Sequence, residues 1–214
     1  MVGKLEKVPL REIWKNEAKD FTTWLENNIE ALSDRLDLNL SVVEREKSVG
    51  NFSADLLAED EHGNRVIIEC QLEKTDHDHL GKLLTYLVNM EAGVAIWISS
   101  EARQEHVNTL NWLNEATPDD VSIYLVKIEG VRIEDSPPAP LFTAISKPSE
   151  DLRLYGEEKK ELAERDKKRL AFWEQLLEKS RKKTNLHANI TPQKINWITA
   201  GAGKSGLEYN YQIL

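Results

Sequence analysis

The segment that most constrains the fold is residues 65–72, Arg-Val-Ile-Ile-Glu-Cys-Gln-Leu. Val66, Ile67, Ile68, Cys70 and Leu72 make it apolar almost throughout, the pattern of a central strand covered on both faces. Side chains alternate along a strand, so Glu69 and Gln71 share one face while Ile68, Cys70 and Leu72 share the other. A second strand-like run, 52–58 (Phe-Ser-Ala-Asp-Leu-Leu-Ala), precedes it across the polar turn Glu-Asp-Glu-His-Gly-Asn. If that hairpin centres near Gly63, paired positions sum to about 125–127, and Asp55 lies opposite residues 70–72. The carboxylate of Asp55 then converges with Glu69 and Gln71. Two acids on adjacent central strands are unfavourable unless paired, hydrogen-bonded or bound to a cation. Hard oxygen ligands at that spacing suit Mg²⁺, with Mn²⁺ as a substitute.

The flanking pattern predicts the layers around this hairpin. Trp14, Phe21, Trp24, Leu25, Ile29 and Leu32 recur at helical spacing and predict one amphipathic helix over 12–36. A strand follows at 38–45. Thr75 or Asp76 is placed to cap a helix running to about 91, followed by a strand at 93–99, a helix at 102–115 and a strand at 121–129. The order (helix, three strands, helix, strand, helix, strand) predicts an α/β domain over residues 1–136, a mixed sheet flanked by helices. Pro137, Pro138, Pro140 and Pro148 mark 137–155 as a connector. Residues 156–214 read as a charged helix and two strand-like runs, a smaller α+β piece. It ends on an apolar strand without a polar tail, the pattern of a domain cut short.

Charge restricts the partners. Residues 1–150 hold 15 Lys+Arg against 28 Asp+Glu, whereas residues 151–214 hold 13 against 9. The first block therefore cannot draw nucleic acid by net charge and must use local patches or bound cations. The single cysteine excludes a disulfide framework, no apolar run approaches a membrane span, and the N-terminus has no signal-peptide core; a cytoplasmic protein is expected.

The string from Gly50 to Asp55, followed fourteen residues later by Glu69-Cys70-Gln71, resembles the PD-(D/E)XK phosphodiesterase superfamily, which includes restriction endonucleases, Holliday-junction resolvases and RecB-type nucleases. The stretch from Trp14 to about Pro148 is similar to an uncharacterised bacterial branch of it, through VGNFSADLLAED, VIIECQLEKTDHDHLGKLLTY and Trp112-Leu113-Asn114. The resemblance implies a restriction endonuclease-like fold and a Mg²⁺-dependent nuclease acting on DNA, in bacterial defence or repair. It implies that Asp55 and Glu69 bind the metal with the main-chain carbonyl of Cys70, and that residue 71 positions the attacking water. A family glutamate on the first helix maps to Glu17, with Glu26 as the alternative. The usual third residue is lysine, and here it is Gln71. Glutamine can orient water but brings no charge. Lys82 stands four residues before Tyr86, where RecB-type nucleases carry Gln-x-x-x-Tyr, and is the candidate for that charge. His79, Lys82, Tyr86 and Asn89 fall on one helical arc, and His79 and Tyr86 are candidate substrate contacts. The rival reading is a catalytically weak or inactive nuclease-like module that binds nucleic acid or a partner protein. Homo-oligomerisation is compatible with either.

Other conspicuous motifs have plainer explanations. Adjacent residues in Asp76-His77-Asp78-His79 point in different directions on a helix, so a helix cap is favoured over zinc. The six tryptophans sit at core spacings. Cys70 reads as a buried apolar residue. Gly201-Ala-Gly-Lys-Ser-Gly206 lacks the first P-loop glycine, since that position is Ile198, and is read as a hairpin turn. From Phe172 onward the chain resembles the opening of a second bacterial domain of unknown function.

Overall fold

The computed structural model describes residues 2–49, 52–118 and 120–213, with all their side chains except those of 47–49, 52, 150–155, 157 and 160. It divides into two compact units, Met1–Arg153 and Leu154–Leu214.

The first unit is built on a seven-stranded mixed sheet. In chain order its elements are β1 (Leu5–Val8), α1 (Leu10–Ile13), a π-helical turn (Glu17–Phe21), α2 (Thr22–Asn27), α3 (Glu30–Leu36), β2 (Ser41–Val49), β3 (Phe52–Glu59), β4 (Arg65–Lys74), α4 (His77–Asn89), β5 (Val94–Glu101), α5 (Gln104–Ala116), β6 (Ser122–Ile133) and β7 (Ala139–Ser146). The strand order is β1-β6-β5-β4-β3-β2, with β7 also on β6. β2, β3 and β4 form an antiparallel meander, and β4, β5 and β6 run parallel through the helical crossovers α4 and α5. This is the mixed sheet flanked by helices that the sequence pattern predicts.

The apolar alternation divides the core between the two sheet faces. On one, Trp14, Phe21, Leu25, Leu32 and Leu36 from the N-terminal helical segments cover Leu56, Ile68, Cys70, Leu72, Ile96 and Val126. On the other, Leu83, Tyr86 and Leu87 of α4 and Leu110 of α5 cover Leu57, Ile67, Trp97 and Leu125. β4 and β5 are thus buried on both sides. At the hairpin tip, Asp60 Oδ1 accepts from the main-chain N–H groups of His62 and Asn64, and Gly63 adopts φ 77°, a conformation that favours glycine.

Three expectations need correction. The single helix over 12–36 is instead four short pieces. Polar side chains compete for the backbone at the breaks: Asn16 accepts from Lys19 N, Thr22 Oγ1 donates to the Glu17 carbonyl, and Asn28 donates to the Trp24 carbonyl. The strand predicted at 38–45 occupies Ser41–Val49. The connector predicted at 137–155 contains β7, paired antiparallel with β6 from Leu125↔Ser146 to Val131↔Ala139. Pro140 lies within that strand, at the edge position where a missing N–H is tolerated.

The second unit comprises most of α6 (Glu150–Arg181) and the hairpin β8 (Trp197–Gly201) and β9 (Glu208–Gln212). Trp173, Leu177 and Ile198 form its buried core, and Trp173 Nε1 donates to the Ile195 carbonyl at 2.8 Å. Gly203 and Gly206, both at positive φ, lie in the β8–β9 connection, where the sequence reading places a glycine-rich turn.

Candidate active site

The site forms where β3 stops pairing with β4. The antiparallel ladder runs from Glu59↔Arg65 to Leu56↔Ile68, so paired positions sum to 124. Continued by one residue, that register puts Asp55 level with Glu69, not opposite residues 70–72 as the hairpin estimate placed it. Beyond Ile68, two carboxylates take over the β3-side edge of β4. Asp55 Oδ2 accepts from Cys70 N at 2.8 Å, and Glu17 Oε2 accepts from Leu72 N. Main-chain N–H groups two residues apart point the same way in a strand, so Asp55 and Glu17 lie in succession along one edge. The main-chain N–H of Asp55 in turn supports the Glu69 carboxylate.

Glu69 is almost fully buried, at 2% exposure, and its Oε1 has no hydrogen-bond partner. Burial and the neighbouring Asp55 charge push its carboxyl up to about 8, opposed by the Asp55 N–H and by Lys82. Asp55 is also raised, first by burial; the Cys70 N–H opposes this, Glu17 adds to it, and His79 and Lys82 offset part of it. Three acids and two bases thus form one electrostatic cluster. Glu17 and Glu26 lie in different places. Glu17 reaches β4, whereas Glu26 faces Arg45 at 3.7 Å. A signal for this lies in the spacing: Glu17 stands three residues after Trp14 and four before Phe21, on the core-facing arc of its segment.

The remaining candidates occupy different settings. Gln71 shares the Glu69 face, but its amide is already engaged. Nε2 donates to the Lys74 carbonyl (3.0 Å) and Asp76 Oδ2 (2.7 Å), and Oε1 accepts from Trp97 Nε1 (3.1 Å). Both of its N–H donors are therefore committed within the protein. Asp76 caps α4 by accepting from His79 N at 2.8 Å, and its Oδ1 also meets His79 Nδ1 at 2.9 Å. The His79 ring stacks on Trp97, with centroids 6.5 Å apart. Lys82 is about one-third exposed and lies 3.8 Å from Asp78. Tyr86 does not present an open polar surface. It is buried in the apolar layer, and its hydroxyl donates to the Ser53 carbonyl at 3.1 Å, two residues before Asp55. Burial, then the charges of Glu69 and Asp55, push its phenol up to about 12. Cys70 points to the opposite face, among Ile68, Leu72 and the N-terminal helical segments, and burial keeps its thiol well above the usual range. The motif's Gly50 and Asn51 lie outside the described residues.

The sequence reading missed the buried polar support beneath α4 and α5. Thr75 Oγ1 accepts from Arg103 N and meets His106 Nδ1, and His106 Nε2 meets His77 Nδ1 at 2.9 Å. Nothing in local periodicity signals contacts between residues so distant in the chain.

Among the described residues no group of three or more His, Cys, Asp or Glu side chains is arranged to hold a metal ion. A Mg²⁺ site held by one or two carboxylates, a carbonyl, water and substrate phosphate does not require three. The donor chemistry fits such an ion: hard oxygens, an unpartnered buried carboxylate oxygen, and a proton affinity raised by like charge.

Residues 168–214 match the model of a family described as a domain of unknown function, DUF4268. No curated protein matches. Two solved structures are similar in part. One is a repair endonuclease from Pyrococcus abyssi, with a TM-score of 0.38 and 16% identity over 45% of this chain and 43% of that one. The other is the EndoMS–dsDNA2 complex, with a TM-score of 0.34 and 17% identity over 39% of this chain and 36% of that one. This chain thus spans less than half of either. Among the described residues no helix is long and apolar enough to cross a membrane.

Proposed function

We propose that the first unit is a divalent-metal-dependent phosphodiesterase acting on nucleic acid, with DNA the substrate implied by the family resemblance. The observation that carries this reading is Glu69, a buried acid with an unpartnered oxygen, set beside Asp55 on adjoining strands. Asp55 and Glu69 are the proposed ligands of Mg²⁺ or Mn²⁺. The carbonyl of Cys70 points to the same strand edge as its N–H, which meets Asp55, and is the third. A bound cation there would polarise the scissile phosphate and lower the pKa of a coordinated water. Glu17, along the same edge, is the proposed proton acceptor for that water. Lys82 supplies positive charge facing both acids, and His79 faces Asp55.

Gln71 has a different role from the family lysine in this reading. Its committed amide joins β4 to the capping carboxylate of α4, and so fixes the helix that carries His79 and Lys82. Tyr86 anchors β3 through Ser53. Both are positioning residues. The test is cleavage of single- and double-stranded DNA and RNA with Mg²⁺ or Mn²⁺, comparing the wild type with Asp55→Asn and Glu69→Gln. Metal-dependent cleavage abolished by both substitutions is the expected result. Metal-independent cleavage, or cleavage surviving both, would refute the assignment. Nucleic-acid binding without cleavage by any variant would establish the inactive-module reading, which the engaged amide of Gln71 also suits.

A further inference from the structure

Arg45, on β2, is not part of the acid cluster, yet it grips the chain segment that delivers Glu17. Its Nη1 donates to Thr23 Oγ1 at 2.7 Å, and its Nη2 donates to the Ala18 carbonyl. Ala18 immediately follows Glu17 within the π-helical turn Glu17–Phe21, and Thr23 lies just beyond that turn. One planar guanidinium on β2 therefore ties the start of the turn to the residue just beyond its end, a fork geometry that a lysine ammonium cannot reproduce. Glu26 lies 3.7 Å from Nη1 and Glu46 3.8 Å from Nη2, and the side chain is about one-quarter exposed. Arg45 pairs across β2–β3 with Leu56, next to Asp55.

The turn needs such support. A π turn is rare and is seldom more than one turn long; here it replaces the regular helix that the apolar spacing predicts. From it Glu17 crosses to the β4 edge and accepts from Leu72 N. We infer that Arg45 is a positioning residue for Glu17: it locks the π-helical turn so that the Glu17 carboxylate stays on the edge of β4 beside Asp55. The consequence for metal binding rests on the function proposed above; the consequence for the Leu72 amide does not.

The test has two readouts. One is hydrogen exchange of the Leu72 amide in the metal-free protein, and the other is Mn²⁺ affinity by titration calorimetry. Arg45→Lys keeps the charge and loses the fork; Thr23→Val removes one arm and is the milder change should Arg45 variants fold poorly. In either variant the Leu72 amide is expected to exchange about tenfold faster or more, approaching its rate in Glu17→Ala, which removes the acceptor, while amides of β5 are unchanged. Because Glu17 adds negative charge beside the proposed ligands, Mn²⁺ binding is expected to weaken as it does in Glu17→Ala, and combining Arg45→Lys with Glu17→Ala is expected to weaken it no further. Unchanged Leu72 protection in folded Arg45→Lys and Thr23→Val would overturn the inference, as would additive losses in the double variant. If the wild type bound no Mn²⁺, the functional reading would fall, and Leu72 exchange would still decide the role of Arg45.

Discussion

Glu69 shows how one side chain carries opposite consequences for stability and for function. In the metal-free fold its carboxyl is raised from an ordinary 4.5 to about 8 by burial and by Asp55. The native state therefore binds more protons than the unfolded chain between those values, and stability falls as pH rises through that window. Above about pH 8 the full penalty applies, on the order of a few kcal/mol. Glu69→Gln removes the charge at constant shape. It is expected to raise the melting temperature of metal-free protein at pH 8.5, with little effect at pH 4.5, as followed by circular dichroism. Mg²⁺ should stabilise the wild type and not the variant. A wild-type melting temperature that stays flat between pH 5 and 8.5, after other acids are accounted for, would contradict this. Strand alternation puts Glu69 and Gln71 on one face, and the hairpin pattern brings Asp55 beside them, although its estimated register is off by at least one residue. What alternation did not reveal is that Gln71 is bonded to Asp76 and Trp97, because hydrogen-bond partners are set by packing between elements.

At the scale of elements, α4 is the part that brings basic side chains, His79 and Lys82, to the acids of the hairpin. Its boundary was legible, since Asp76 carries the N-cap chemistry and the apolar residues recur every three or four positions. Its polar arc was misread at Tyr86. Helical spacing gives an angle around the axis but not the width of the buried stripe, and here the stripe extends to include that ring. Lys82 lowers the proton affinity of both acids. Lys82→Gln is expected to lower the cleavage rate about a hundredfold, the typical loss for one transition-state donor, with almost no change in melting temperature. Gln71→Leu is expected to behave differently. It removes the partner of Trp97 Nε1 and of Asp76 Oδ2, so it should destabilise by about 1–3 kcal/mol and lower the rate together. Urea titrations beside single-turnover rates separate the two; a rate loss without destabilisation in Gln71→Leu would return that residue to the water-orienting role. The N-terminal helical segment was the least legible element. Its apolar spacing is helical throughout, and the breaks come from Asn16, Thr22 and Asn28 bonding to the backbone.

Across the whole chain, the two units differ in how much structure protects their hydrogen bonds. β4 and β5 lie inside a seven-stranded sheet with apolar layers on both faces, so opening them exposes the entire core of the first unit. The amides of β5, and those of β4 as far as Ile68, should exchange only through global unfolding, which in domains of this kind requires roughly 5–15 kcal/mol. The β8–β9 hairpin has two strands; Ile198 faces Trp173 and Leu177, whereas every residue of β9 is exposed. A two-stranded sheet is marginal in water unless another element covers it. Hydrogen-bonded amides of β8 and β9 are therefore expected to exchange by local opening, at least about a hundredfold faster than those of Ile67, Ile68 and Ala95–Ile98. Trp173→Ala removes the largest side chain of the small core and the bond to the Ile195 carbonyl. It should accelerate exchange in the hairpin further and leave β4 and β5 unchanged, because the core it disrupts contains only residues of the second unit. Residue-resolved exchange on the full chain measures both effects. Hairpin amides as slow as those of β4, or a loss of protection in β4 on Trp173→Ala, would show that the two units unfold as one.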